Sequence, residues 1–325
     1  MLEMNSKTLR FFSRMGARGV LGQIVFDYLQ EGNALYVVTA DLSRASGFDR
    51  VKKMYPEHLV NVGIAEQNMI GVSAGLASQG TPVIATTWAT FSSVRAADQI
   101  RNYMGFMHSN IKLVGLESGL SGAEYGYTHS NCPDIAVIRS IPGIKILCPC
   151  DGAEIYQAVY AALKYDGPVY IRLVGRFNLP AIYTDPTFEY KIGSANILRK
   201  GSDAVIISAG TILNNALQAA EKLLEEGISV EVIDMHTIVP LDTAIIDHCL
   251  NHNLIFVLED HLITGGLYSA VCEYICALPG NIKPRIAPIS IKNGFIPSGT
   301  QEFTEKLCGI DTDTIIDVIN REVSL

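Results

Sequence analysis

Residues Gly63-Ile64-Ala65-Glu66-Gln67-Asn68-Met69 stand where a short apolar strand, Leu59-Val60-Asn61-Val62, passes into a helix. Met69, Ile70, Val72, Ala74, Gly75 and Leu76 make that helix apolar on most of its sides, which predicts burial. Glu66 falls in its first turn. An acid there caps the helix and complements its dipole. A carboxylate held at the start of a buried helix is also placed to bond a ligand. Position alone leaves both readings open.

Working outward, the same alternation repeats. Leu9 to Leu29 reads as a helix and Leu35–Ala40 as a buried parallel strand, followed by a loop from Asp41 to Asp49. Further strands are predicted at Pro82–Thr86, Ile111–Gly115, Ile144–Cys148 and Val169–Leu173, with helices at Ser92–Met104, Pro133–Arg139 and Gly152–Leu163 between them. From Leu179 to Tyr190 the pattern lapses around Pro180 and Pro186, as in a linker. A second unit then places strands at Ala204–Ser208, Val230–Asp234, Leu254–Leu258 and Ile286–Ser290. Its helices fall at Ile212–Glu225, Thr243–Cys249, Leu267–Cys276, Gln301–Leu307 and Thr312–Ile319. The expected class is α/β: two αβα domains, each on a parallel sheet, spanning 1–180 and 192–325 with a linker at 181–191. Ligands are expected beyond the carboxyl ends of the strands.

The 325 residues are 48% hydrophobic and 18% charged, which fits large buried sheets and not disorder. A net charge of −8 with scattered basic residues argues against a general nucleic-acid binder. Seven cysteines, an odd number without a secretory signal, argue against a disulfide framework. Cys148-Pro-Cys150 and Cys272/Cys276 have no second pair or histidine at zinc spacing and read as small core residues. No apolar run reaches the length of a membrane span. The expected localisation is cytoplasmic. Gly16-Ala-Arg-Gly19-Val-Leu-Gly22 has the wrong spacing for a dinucleotide fingerprint, and no strand leads into it. Glu259-Asp260-His261 invites a triad reading, but no nucleophile turn accompanies it, so a structural role is expected.

The Gly63–Met69 stretch resembles the pyrimidine-binding motif of transketolases. The resemblance continues through Asp41-Leu42, Arg95-Ala96-Ala97-Asp98-Gln99-Ile100-Arg101, Gly126-Tyr127-Thr128-His129, Arg172 to Pro180, and Glu259-Asp260-His261 with Gly265-Gly266. It covers nearly the whole chain, but only the C-terminal half of the family's usual single polypeptide. It implies that Glu66 shares a proton with the aminopyrimidine of thiamine diphosphate, a cofactor that supplies carbanion chemistry while the protein orients it. It implies that Phe91, beside Trp88, stacks on that ring, although one extra residue separates Phe91 from Arg95. Asp41 becomes a cofactor-side contact, and His129 a proton carrier near the substrate carbonyl. Arg176 corresponds to the family's arginine for a sugar phosphate, and Ser46 (or Ser43) lies close to a serine that touches the same group.

Two positions depart from the family. Glu117 stands where transketolases have a substrate-binding histidine, and Tyr125 where they have an aspartate, with Glu124 beside it. A carboxylate at Glu117 would repel phosphate and accept from hydroxyl or amino groups, pointing away from a standard pentose or hexose phosphate. The family's Gly-Asp-Gly and downstream Asn, which hold Mg²⁺ and the cofactor diphosphate, do not occur here, so no metal ligand is expected on this chain. The resemblance therefore implies a separate N-terminal transketolase subunit and an α2β2 assembly that transfers a two-carbon ketol unit from a ketose to an aldehyde. Rival readings are a deoxyxylulose phosphate synthase, a 2-oxoacid dehydrogenase beta subunit, or a regulatory subunit without turnover.

Overall fold

The structure, a computed structural model, describes residues 4–130, 133–175, 178–280, 284–292 and 294–323. The chain opens with helix α1 (Ser6–Gln30), then β1 (Tyr36–Thr39), α2 (Asp49–Met54), β2 (Leu59–Asn61), α3 (Glu66–Ala77) and β3 (Val83–Trp88). A helical segment containing α4 (Ala97–Gln99) leads to β4 (Ile111–Leu116), α5 (Asp134–Arg139), β5 (Lys145–Leu147), α6 (Gly152–Lys164) and β6 (Val169–Arg172). Beyond the proline-containing connection come β7 (Asn196–Arg199), β8 (Ala204–Ser208), α7 (Leu213–Glu225), β9 (Val230–Asp234), β10 (Thr237–Val239), α8 (Thr243–Cys249) and β11 (Leu254–Leu262). The chain then forms α9 (Leu267–Ala277), β12 (Arg285–Ile291), α10 (Gln301–Cys308) and α11 (Thr312–Val323).

Two sheets result, in the orders β10-β5-β6-β4-β3-β1-β2 and β12-β11-β8-β9-β7. The central strands β3, β4, β6, β8 and β9 are buried almost throughout, as continuous Val/Ile/Leu runs covered by helices on both faces require. Two edge strands depart from the wholly parallel sheets expected from sequence: β10 runs antiparallel to β5, and β7 antiparallel to β9. Each has only three or four residues, and β7 is half-exposed, so neither leaves a hydrophobic signature. β10 also crosses between the sheets, because it follows β9 of the second sheet yet closes the edge of the first. Short α2 likewise went unpredicted.

The helix expected over 92–104 is irregular. Wide π turns at Phe91–Arg95 and Ile100–Phe106 flank α4. A π turn takes up an inserted residue without breaking the helix. Gly16 kinks α1 at φ 69°. Further along α1, a Cβ on Gly22 would lie 2.1 Å from the carbonyl oxygen of Gly47. Gly22, the last of the three glycines at 16, 19 and 22, thus lets α1 press against the loop after β1. Among the described residues, no helix is long and apolar enough to cross a membrane.

Candidate active site

The carboxyl ends of β1, β2, β3 and β4 share one edge of the first sheet, and the chain turns sharply after three of them. Asp41 follows β1 at φ 60°, Gly63 follows β2 at φ 73°, and Glu117 follows β4 at φ 52°. A Cβ at Gly63 would meet nothing within 4 Å, so glycine is required there by backbone angle and not by space. Asn61 ties two of these turns together. Its Oδ1 accepts from the amides of Asp41 and Gly63, both at 3.0 Å, and its Nδ2 donates to Asp41 Oδ1 at 3.1 Å.

Glu66 begins α3 and is 3% exposed. Its Oε2 accepts from Arg95 Nη1 at 3.0 Å. The Arg95 guanidinium also lies 4.0 Å from the centroid of the Phe91 ring, a cation–π contact. Phe91 and Trp88 are nearly parallel, at 13° and 6.4 Å. His129 meets both edge-on, 4.7 Å from Trp88 and 5.3 Å from Phe91, and Tyr125 closes the group 5.0 Å from Trp88. His129 Nδ1 pairs with Thr128 Oγ1 at 2.8 Å, and Thr90 Oγ1 donates to the His129 carbonyl at 3.4 Å, which fixes the ring. A buried carboxylate beside a wall of flat rings suits a planar heterocycle that bears a basic nitrogen.

Glu117 is also only 3% exposed. It forms an ion pair with Arg18, a residue of α1 that the sequence reading passed over. A Cβ on Gly175 would overlap the Glu117 carboxylate, so glycine is needed on its other side. Burial lowers the Arg18 pKa from the usual arginine value, and neighbouring Tyr125 acts in the opposite sense.

The structure therefore brings Glu66, Trp88, Phe91, Tyr125 and His129 together, with Asp41 and Glu117 on the same edge. It does not bring Ser46 there. Ser46 is fully buried, donates to the Leu42 carbonyl at 2.8 Å and lies 3.5 Å from Thr86 Oγ1. Arg176 lies outside the described residues.

The triad-like stretch sits elsewhere, between the sheets. Asp260 accepts from the Leu120 amide, Glu259 from the amides of Leu267 and Tyr268 that open α9, and His261 Nε2 from the Ala136 amide. Arg172 Nε donates to Asp134 Oδ2 at 2.9 Å, and Arg172 Nη2 donates to the Asp260 carbonyl at 2.6 Å. Burial pushes Glu259 and Asp260 up to about 7 and His261 down to about 4. These groups join the two sheets. The structural role expected from sequence matches these contacts.

The family model for the pyrimidine binding domain of transketolase matches residues 13–178, and the model for the transketolase C-terminal domain matches residues 193–315. The chain belongs to the transketolase family. It is 34% identical to a putative transketolase C-terminal section of Methanocaldococcus jannaschii over 95% of this chain and 96% of that protein. It is 35% identical to one subunit of an apulose-4-phosphate transketolase of Actinobacillus succinogenes, covering 89% of this chain and 93% of that one. A solved structure described as a split gene transketolase, inactive β4 tetramer, superposes with a TM-score of 0.86 at 29% identity, over 95% of this chain and 99% of its own. The chain thus resembles transketolase subunits of its own length.

A group of side chains close enough to share an ion, among the described residues, is Cys150, Glu154 and Asp234. It is buried at the junction of the sheets, and its thiol makes it unlike the all-oxygen set that Mg²⁺ prefers. Burial raises the pKa values of both its carboxyls, and Asp234 Oδ2 accepts from the Tyr183 hydroxyl at 2.6 Å. A proton shared between the two acids fits this packing.

Proposed function

We propose that this chain is the C-terminal subunit of a two-polypeptide transketolase that moves a two-carbon ketol unit from a ketose to an aldehyde with thiamine diphosphate. The observation that carries the reading is the buried Glu66 carboxylate, linked through Arg95 to the Trp88–Phe91–His129 aromatic group. When bound, thiamine diphosphate supplies the carbanion chemistry. Glu66 holds a proton at its carboxylate against the pyrimidine ring, and Arg95 orients that carboxylate. Phe91 and Trp88 give the ring a flat, dry surface. Asp41, fixed by Asn61, lies on the cofactor side. His129, clamped through Nδ1 and its carbonyl, leaves Nε2 to move a proton at the substrate oxygen. Tyr125, Glu117 and Arg176 belong to the substrate side, with Arg176 as the anchor for an anionic tail. Ser46, buried and bonded to the Leu42 carbonyl, shapes the loop behind Asp41.

A separate N-terminal subunit would hold Mg²⁺ and the cofactor diphosphate, in a cytoplasmic α2β2 assembly. Support comes from the relatives of the same length and from the description of the solved relative as inactive in its β4 form. The test is co-expression with a polypeptide carrying Gly-Asp-Gly and a downstream Asn. Ketol transfer is expected only when both chains, cofactor and Mg²⁺ are present. Turnover by this chain alone, or pyruvate decarboxylation without ketose use, would refute the assignment.

A further inference from the structure

We propose that Tyr127 and Phe295 form an outer aromatic rim of the acceptor site, which stacks on the C–H face of a sugar at the carbons remote from its aldehyde. This inference rests on the ketol-transfer reading above. Phe295 belongs to the loop after β12 of the second sheet, and its ring meets Tyr127 edge-on at 4.3 Å and 83°. Both rings remain in water, Phe295 at 79% exposure and Tyr127 at 53%. Covering such rings is favourable, and an exposed aromatic pair beside a site marks a place where another molecule fits.

The rim is tied to the turn that carries His129. The Gly299 amide donates to the Ala123 carbonyl at 3.3 Å, and a Cβ on Gly126 would lie 2.8 Å from Ser298 Oγ. Gly126 is at φ 79°, and its carbonyl accepts from the amides of His129 and Ser130, both at 3.0 Å. The loop after β12 therefore braces the same turn that sets His129, and Tyr127 stands inside that turn. Tyr127 precedes His129 by two residues, so their Cα atoms lie at most about 7 Å apart. An acceptor whose aldehyde sits at His129 extends its remote carbons toward the rim, and a molecule as small as glycolaldehyde falls short of it. Neither ring carries a positive charge to hold a phosphate, and their flat faces suit C–H groups.

The test uses the two-chain complex with thiamine diphosphate, Mg²⁺ and hydroxypyruvate as donor, and compares D-erythrose with the shorter acceptor glycolaldehyde. Phe295→Ala is expected to raise KM for erythrose by about three- to tenfold, with kcat little changed and KM for glycolaldehyde within about twofold of the parent. Tyr127→Ala should do the same. The double variant should lose less than the product of the two, since the rings act as one surface. Phe295→Tyr keeps a flat ring and should recover most of the erythrose KM. An unchanged erythrose KM in both alanine variants, or an equal rise with both acceptors, overturns the inference while leaving ketol transfer intact. Weaker association of the two chains in sedimentation, with neither KM moved, also overturns it, because the rim would then be part of the subunit boundary. A parent complex that transfers to neither acceptor overturns the ketol-transfer reading and this inference together.

Discussion

At the carboxyl edge of the first sheet, Glu66 and Glu117 each pair with an arginine that stays partly in water; at the second sheet's edge, Glu259 and Asp260 are sealed among backbone amides and Arg172. Both edges come from the same kind of parallel sheet and carry similar side chains. The difference lies in what covers them. The second edge packs against Leu120, Ala136 and Arg172 of the first half of the chain, so its polar groups are consumed in holding the sheets together. The first edge keeps rings and charged groups with unused bonding capacity. Strand ends in an α/β fold offer a ligand site only where no other part of the protein lies across them.

The largest effect expected from this contrast is at Arg172. Arg172→Ala strands the buried Asp134 carboxylate and frees the Asp260 carbonyl, and should cost about 3–5 kcal/mol in denaturant unfolding. A loss below about 1 kcal/mol would show that the second edge is not the structural one. Gly22→Ala follows. A Cβ placed 2.1 Å from the Gly47 carbonyl must push α1 off its loop, at a cost of about 1–3 kcal/mol in the same assay.

A pH series sharpens the comparison further. Burial pushes Glu259 and Asp260 up to about 7 from 4.5 and 3.8, so the folded chain holds protons that the unfolded chain releases. Their contribution to stability is complete below the ordinary carboxylate range and is lost as pH rises through about 7. His236 and His261, pushed down to about 4 from 6.5, contribute above 6.5 and lose that contribution as pH falls through 4. Lys112, pushed down to about 7 from 10.5 by burial, acts in the opposite sense over the same range. Asp260→Asn, which still accepts from the Leu120 amide, should therefore shift the change in melting temperature between pH 6.5 and 8 upward relative to the parent, and an unaltered pH dependence would contradict the buried, protonated Asp260. Arg95 is 47% exposed, but its partner Glu66 is only 3% exposed. Arg95→Ala therefore leaves a buried carboxylate without its donor and should cost about 1–3 kcal/mol, less than Arg172→Ala, whose own guanidinium is buried. Ketol transfer should also drop, because Glu66 loses its orienting partner.

Much of this was legible in sequence. Continuous apolar runs announced every central strand, and Glu66, Trp88, Phe91 and His129 were singled out before any geometry was known. The losses have physical causes. β7 and β10 pair antiparallel at sheet edges in runs too short for any periodicity. Arg18 hid inside a glycine-spaced stretch, where attention to the glycines passed over the cation between them. Its ion-pair partner, Glu117, is 99 residues away in the chain, and only the fold brings the two together. Ser46 was expected near a substrate phosphate from the resemblance, yet its buried hydroxyl donates to the Leu42 carbonyl of its own turn, a bond that sequence does not reveal.

Glu66→Gln in the two-chain complex tests the central claim most directly. The substitution keeps the shape of the side chain and an oxygen for Arg95 but removes the acid. Ketose-dependent transfer should fall by about 10²–10⁴-fold, with the unfolding midpoint and assembly of the complex unchanged. Transfer at the parent rate would contradict the proposal that this carboxyl carries the proton on which the reaction depends.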